Sequence, residues 1–169
     1  MGWLASHDVA SSGDALESIL ASCPELLERY RDFYGVFWDE ELLPARLLEL
    51  CRLRIASLNR CEAESAIAHS ESGVTRDERE CLSRGEIPSS ASDLEKRALG
   101  IATRVPFEIH ALEDGEVEAL RRDLGDDGVV ALMVALPLFD ANCRLRLVLE
   151  VEPETHEVDR PASRHGRLY

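Results

Sequence analysis

Apolar residues recur every three or four positions along most of the chain, which is the spacing of a buried helix face. Strand-like alternation of apolar and polar residues is nearly absent. The clearest case follows Pro24, where the apolar face is predicted to consist of Leu26, Leu27, Tyr30, Phe33, Tyr34 and Phe37. The pattern therefore predicts an all-α chain.

Prolines and capping patterns mark where these helices begin. A proline suits the first helical turn because its missing N–H would have no partner there. A Ser or Thr followed by Glu three residues later can satisfy two orphan backbone donors. These signals predict helix starts at Pro24, at Pro44, at Thr75 with Glu78 and at Ser92 with Glu95. The segment 83–92 is predicted to be a loop, because it is rich in Ser, Gly and Pro.

Two long apolar segments, 44–59 and 129–151, are predicted to be central helices. The second follows a short predicted helix at 116–124 and a Gly-Asp-Asp-Gly stop at 125–128, and a polar tail begins at Glu152. Both long helices carry more apolar surface than one small domain can cover. This excess favours a homo-oligomer.

Length and charge limit the class of protein. The 169 residues are typical of one domain, and 45% apolar with 31% charged residues is ordinary for a globular protein. The net charge of −14 repels phosphate backbones and anionic lipids, so we expect neither nucleic acid nor a membrane as partner. No apolar stretch reaches the roughly 18 residues of a membrane span. The N-terminal residues lack the features of a secretory signal, which favours a cytoplasmic location.

Five cysteines, at positions 23, 51, 61, 81 and 143, show no regular spacing. An odd number is a poor disulfide framework and favours a reducing compartment. The chain has no CxxC pair and no Cys/His cluster with zinc spacing. Neither a metal site nor a cofactor is therefore expected.

Residues 42–69, LLPARLLELCRLRIASLNRCEAESAIAH, place a Glu twelve positions before a Cys, with a further Glu and a His after it. Together with 92–154 and the helix after Pro24, this order resembles the carboxymuconolactone decarboxylase / alkylhydroperoxidase D-like (AhpD-like) family. The resemblance implies an AhpD-like helical bundle of six to eight helices and a homotrimer or homohexamer. We expect one such domain over 20–154, between an N-terminal lead-in (1–19) and a polar C-terminal tail (155–169).

The resemblance also assigns roles to particular residues. Glu49 and Cys61 match the Glu and the first Cys that the peroxidase branch of the family uses on hydroperoxides. The position of that branch's second Cys holds Glu64, and its His position holds Ala68, with His69 one residue later. A Glu at this place resembles members of the decarboxylase-type branch.

The leading hypothesis is a cofactor-independent acid/base enzyme that moves protons on a small acidic or lactone-type substrate. Glu49 lies on an otherwise apolar helix, a setting that suits a buried proton-transfer group. The other candidates are Glu64 and His69 as a second proton site, Cys61 in the pocket wall, and Arg52 and Arg54 as ligands of an anionic substrate.

Two alternatives stay open. The first is a divergent thiol peroxidase acting through Cys61, which would need a resolving thiol such as Cys51 or an external one. The second is a non-catalytic helical oligomer, in which Glu49 only forms a helix ion pair with Arg52 or Arg46.

Overall fold

Seven α-helices make up most of what the structure, a computed structural model, describes, namely residues 14–39, 42–153 and 156–158. The helices are α1 (Ala15–Leu20), α2 (Pro24–Asp39), α3 (Ala45–Asn59), α4 (Glu62–Ser65), α5 (Arg76–Ser83), α6 (Asp93–Arg104) and α7 (Asp114–Val148). Two short strands, β1 (Ile67–His69) and β2 (His156–Val158), pair in parallel. Single 3₁₀ turns occupy Ser70–Ser72 and Ile109–Ala111. The predicted all-α class is confirmed.

The helix starts lie where local signals predicted them. Helix α2 begins at Pro24, and Pro44 is the N-cap residue of α3, one position before its first helical residue. At α5, the Thr75 hydroxyl accepts from the backbone N–H of Glu78, and the Glu78 carboxylate accepts from the backbone N–H of Thr75. The same reciprocal bonds begin α6. Both predicted capping boxes are therefore confirmed.

Helix α3 is the centre of the fold. It contacts α5, α6 and α7, and its side chains are buried on nearly every side. The larger apolar core lies between α3 and α7, and a smaller one consists of Leu50, Leu53, Leu82 and Leu99. Because three helices of the same chain cover α3, burying it requires no second copy.

The buried face of α2 is narrower than predicted. Leu27, Phe37 and Trp38 are buried, whereas Leu26 and Phe33 are 53% and 49% exposed. The two exposed side chains are seven residues apart, so they lie above each other on one edge of the helix. The apolar core contacts only the adjacent stripe of α2, which carries the buried side chains.

Helix α7 differs from its prediction in both bounds and continuity. Instead of a stop over 125–128, the chain departs from helical geometry at Gly125, with φ +73° and ψ 177°, and the helix resumes at once. The helix ends at Val148 rather than Val151. Glycine lacks a Cβ and tolerates this conformation, so one residue is enough to make the kink.

The length and composition of α7 would allow it to cross a membrane. Its packing gives another reason for that composition, because Leu132, Leu136, Phe139 and Cys143 are fully buried in the larger core. The opposite face of the helix is exposed.

Residues near both ends of the described chain pack into the domain. Leu16 of α1 is fully buried, although residues 15–19 were assigned to the lead-in. Strand β2, assigned to the tail, pairs with β1 in the register Ile67 to His156 and His69 to Val158. Three-residue strands carry too little alternation for sequence to predict. The remaining lead-in (1–13) and most of the tail (159–169) lie outside the described residues.

Candidate functional site

Among the described residues, six charged side chains of alternating sign form a series of ion pairs that is buried at its centre and partly exposed at its two ends, and we call them the buried ion network. In spatial order they are Asp14, Arg146, Glu64, Arg52, Glu49 and Arg79. They come from the N-cap of α1 and from α7, α4, α3 and α5. Three carboxylates and three guanidiniums balance, which is the condition under which buried charge is tolerated.

Arg52 lies at the centre of the network and is fully buried. Its Nε and Nη2 donate to the Glu49 carboxylate at 2.7 and 2.9 Å. Its Nη1 donates to the Glu64 carbonyl and carboxylate at 2.6 and 2.9 Å, and Nη2 also donates to the Ile67 carbonyl at 2.8 Å. Burial opposes the charged form, yet Glu49 and Glu64 hold the pKa of Arg52 well above its ordinary value. The proposed substrate-binding arginine is thus saturated by groups of its own chain.

Glu64 is held from two sides. One carboxylate oxygen accepts from Arg52, and the other accepts from Nε of Arg146 at 2.6 Å. Arg146 then donates to both carboxylate oxygens of Asp14, at 2.8 and 2.7 Å. Burial works against the charge of Arg146, but Asp14 and Glu64 raise its pKa above the ordinary value. The pairing links α4 to the far end of α7.

Glu49 also has two cationic partners. Besides Arg52, the guanidinium of Arg79 on α5 donates to the Glu49 carboxylate. Arg46, the other partner that the sequence suggested, instead donates to carboxylates on α5 and α6. The predicted i,i+3 pair of Glu49 with Arg52 is therefore present, but in the core rather than on a helix surface.

His69 is a satisfied core residue. Its ring stacks on Trp38 with centroids 3.7 Å apart, and its Nε2 lies 3.4 Å from the Tyr34 hydroxyl. Burial, followed by the charge of Arg52, lowers the pKa of His69 to about 2. The imidazole is neutral at physiological pH and lies beside the buried ion network.

Cys61 is the N-cap residue of α4, and its thiol lies next to that of Cys143 on α7. The Cys143 thiol lowers the pKa of Cys61; burial acts against this, and the backbone amide of Glu64 assists it. Cys61 and burial together raise the pKa of Cys143. The pair therefore consists of one thiol whose pKa is lowered and one whose pKa is raised.

A cleft of about 230 Å³ lies over the Cys61 side of this pair. Its lining consists of Arg60, Cys61, Glu62, Ala63, Arg146, Leu147 and Val151. Of the six candidate residues named from the sequence, Cys61 contributes to this wall. The cleft brings Cys61 together with aliphatic residues and two arginines.

Arg54 lies apart from this region. Its Nε donates to the Thr103 hydroxyl of α6 at 2.9 Å, and its Nη1 is buried without a hydrogen-bond partner. Two residues after Arg52, it projects from another side of α3. In the described part of the chain, no group of three or more His, Cys, Asp or Glu side chains could hold a metal ion.

Sequence reasoning did not identify Asp14, Arg79, Cys143 or Arg146 as site residues. One signal was available for the last two. Cys143 and Arg146 are three residues apart, as are Cys61 and Glu64, so each helix offers a thiol and a charged group one turn away. The other pairings depend on how the helices pack.

Comparison with known proteins gives one match. A model of the carboxymuconolactone decarboxylase family matches residues 24–104, which span α2 to α6 and include Glu49, Cys61, Glu64 and His69. No curated protein and no solved structure matches the chain at a significant level. Over residues 24–104, just under half of its length, the chain is similar to the carboxymuconolactone decarboxylase family.

Proposed function

We propose that the protein is a thiol-dependent oxidoreductase that reduces a small hydroperoxide through Cys61. One observation carries the proposal: Cys61, although only 1% exposed, is among the residues that line the cleft, and its thiol has a pKa below that of an ordinary cysteine. A reactive cysteine needs both access and a stabilised thiolate. The family match supports this region of the chain as the site.

The acid/base hypothesis has less support. Each of its two carboxylates is bound by two guanidinium groups, Glu49 by Arg52 and Arg79, and Glu64 by Arg52 and Arg146. Both oxygens of each carboxylate already accept hydrogen bonds from these arginines, which leaves less capacity to accept a substrate proton. Its third candidate, His69, is committed to an aromatic stack.

The cleft indicates the kind of substrate. About 230 Å³ suits a small molecule, with Ala63, Leu147 and Val151 against its carbon skeleton. Arg60 brings positive charge to the wall, which favours the charge that develops on the leaving oxygen, whereas Arg146 is already paired with Glu64 and Asp14. The proposal includes a location in the reducing cytoplasm, because Cys61 must be reduced back to the thiol after each turnover.

The test is hydroperoxide consumption by the purified chain with dithiothreitol as reductant. Wild type should consume tert-butyl hydroperoxide, and Cys61→Ser should lose this turnover because serine cannot form a sulfenic acid. The matched control is Cys51→Ser, which changes another fully buried cysteine of the same core and should keep the turnover. Equal rates for wild type and Cys61→Ser, or no consumption by either, would contradict the proposal.

A further inference from the structure

Helices α4 and α7 meet through two matched contacts one helical turn apart. In the first, the thiols of Cys61 and Cys143 lie side by side. In the second, Glu64 and Arg146 form a 2.6 Å ion pair that is almost fully buried. Each partner of the second contact is three residues after its counterpart in the first. The ion pair therefore fixes α4 against α7 and holds the two sulfurs together.

From this geometry we infer that Cys61 and Cys143 are a redox couple, with Cys143 as the resolving cysteine of the proposed reaction. The inference rests on the proposed function, since Cys61 must first be oxidised. Both cysteines are buried, and of the two it is Cys61 that belongs to the lining of the cleft. Cys143 also lies outside the residues that match the family model.

The chemistry balances without a metal or cofactor. The Cys61 sulfur attacks the terminal oxygen of the hydroperoxide and the O–O bond breaks. The products are a sulfenic acid and an alcohol, which receives the thiol's proton. The Cys143 thiol then attacks the sulfenic sulfur, forms a disulfide and releases water. A dithiol reductant exchanges with this disulfide, which restores both thiols and leaves the reductant oxidised.

Cys51, the resolving candidate suggested by the sequence, is poorly placed. It lies eight residues before the end of α3 at Asn59, which is about 12 Å along the helix axis. A disulfide requires Cβ atoms roughly 4 Å apart. In addition, burial raises the pKa of Cys51 to about 12. Pairing Cys61 with Cys51 would therefore require helix α3 to break.

The experiment maps the disulfide directly. Cys23 is exposed and Cys81 is partly exposed, so the test uses a Cys23→Ser/Cys81→Ser background that keeps the three buried cysteines. After one equivalent of hydrogen peroxide and alkylation, peptide mass spectrometry should find a Cys61–Cys143 disulfide and a free Cys51. Adding Cys143→Ala should stop oxidation at a Cys61 sulfenic acid, which dimedone traps. Adding Cys51→Ala, the matched control, should leave the disulfide unchanged.

The outcomes separate the two proposals. Oxidised Cys61 with a free Cys143, or the same thiol loss in Cys143→Ala, would overturn the inference and leave the proposed function standing. If peroxide does not oxidise Cys61 at all, both the inference and the proposed function are wrong. The disulfide is mapped in the Cys23→Ser/Cys81→Ser protein, which retains Cys143. That measurement does not depend on whether the Cys143→Ala variant folds.

Discussion

At the scale of single residues, Arg52 shows how the core accepts charge. A guanidinium has five N–H donors, and Arg52 directs hydrogen bonds to two carboxylates and two backbone carbonyls. These protein partners replace the hydrogen bonds to water that Arg52 loses when it is buried. The stability of the fold should therefore depend strongly on this one side chain.

Arg52→Met tests that dependence. Methionine fills much of the space but leaves the buried carboxylates of Glu49 and Glu64 with fewer cations, so the free energy of unfolding should fall by about 3–5 kcal/mol. Urea titration measures the change. The control is Arg76→Met, since Arg76 is 90% exposed in its pair with Glu80 and its loss should leave stability close to wild type. An equally small effect at Arg52 would show that the network adds little to stability.

His69 should make the folded state sensitive to mild acid. Its folded pKa of about 2 lies below the ordinary 6.5, so below pH 6.5 the unfolded chain binds a proton that the folded chain does not. Stability should be fully present above pH 6.5 and should fall by about 2 kcal/mol between pH 8 and pH 5. Urea titrations across that range should show the slope. In His69→Gln, the dependence of stability on pH should be weaker, even if the variant is less stable overall. An unchanged dependence would show that other groups cause it.

The sequence predicted part of this site because part of it is local. Glu49 and Arg52 are three residues apart on one helix, so their pairing follows from helix geometry. Arg79 and Arg146 are 30 and 82 residues from the carboxylates that they bind. Those contacts depend on how α5 and α7 pack against α3 and α4, which no local pattern contains.

At the scale of elements, the kink at Gly125 sets the course of α7. The residues before it form the first part of the helix, and those after it form the long segment that packs on α3. The φ and ψ values at Gly125 are open to glycine and costly for other residues. The sequence predicts a helix stop at the Gly-Asp-Asp-Gly motif, whereas the structure has a kink of one residue within α7.

Two glycine substitutions separate backbone strain from helix propensity. Gly125→Ala should lower the free energy of unfolding by about 1–3 kcal/mol, because alanine resists a positive φ. Gly100→Ala in α6 should raise it by about 0.5–1 kcal/mol, because alanine favours a helix interior. A methyl group at either position meets nothing within 4 Å, so packing does not confuse the comparison. Thermal and urea unfolding of both variants give the values, and equal signs would contradict the kink.

Elements follow their sequence signals most closely at helix starts. The capping boxes at Thr75 and Ser92 use groups within three residues of each other, so the local sequence specifies them. The end of α7 at Val148 and the pairing of β1 with β2 were not foreseen. Both depend on chain segments that meet only in the folded domain.

At the scale of the whole molecule, α7 presents an exposed apolar stripe. Its members are Val130, Val134, Pro137, Ala141, Leu145 and Val148, which recur every three or four residues. Val130 and Val148 are 63% and 69% exposed. The excess of apolar surface that the sequence predicted for two helices is thus confined, in the described chain, mainly to the outer face of α7.

We propose that this stripe joins copies of the chain in a homotrimer or homohexamer. Sedimentation velocity should find an oligomer for wild type. Val134→Glu with Leu145→Glu should dissociate it, because two charges would be buried in an apolar contact. The control is Ile87→Glu, which places a charge at another apolar side chain of similar exposure, 45%. A monomeric wild type, or an oligomer that survives the double substitution, would contradict the proposal.

The balance of the buried ion network also affects how the molecule responds to its solvent. Its three carboxylates and three guanidiniums cancel, so the net charge of −14 comes entirely from residues outside the network. Dissolved ions screen exposed charges over roughly 8 Å at physiological ionic strength and hardly reach buried pairs. Added salt should therefore weaken the mutual repulsion of the acidic exterior without loosening the interior. The fold should tolerate salt well, because the ion pairs that matter most to it are the ones that salt does not reach.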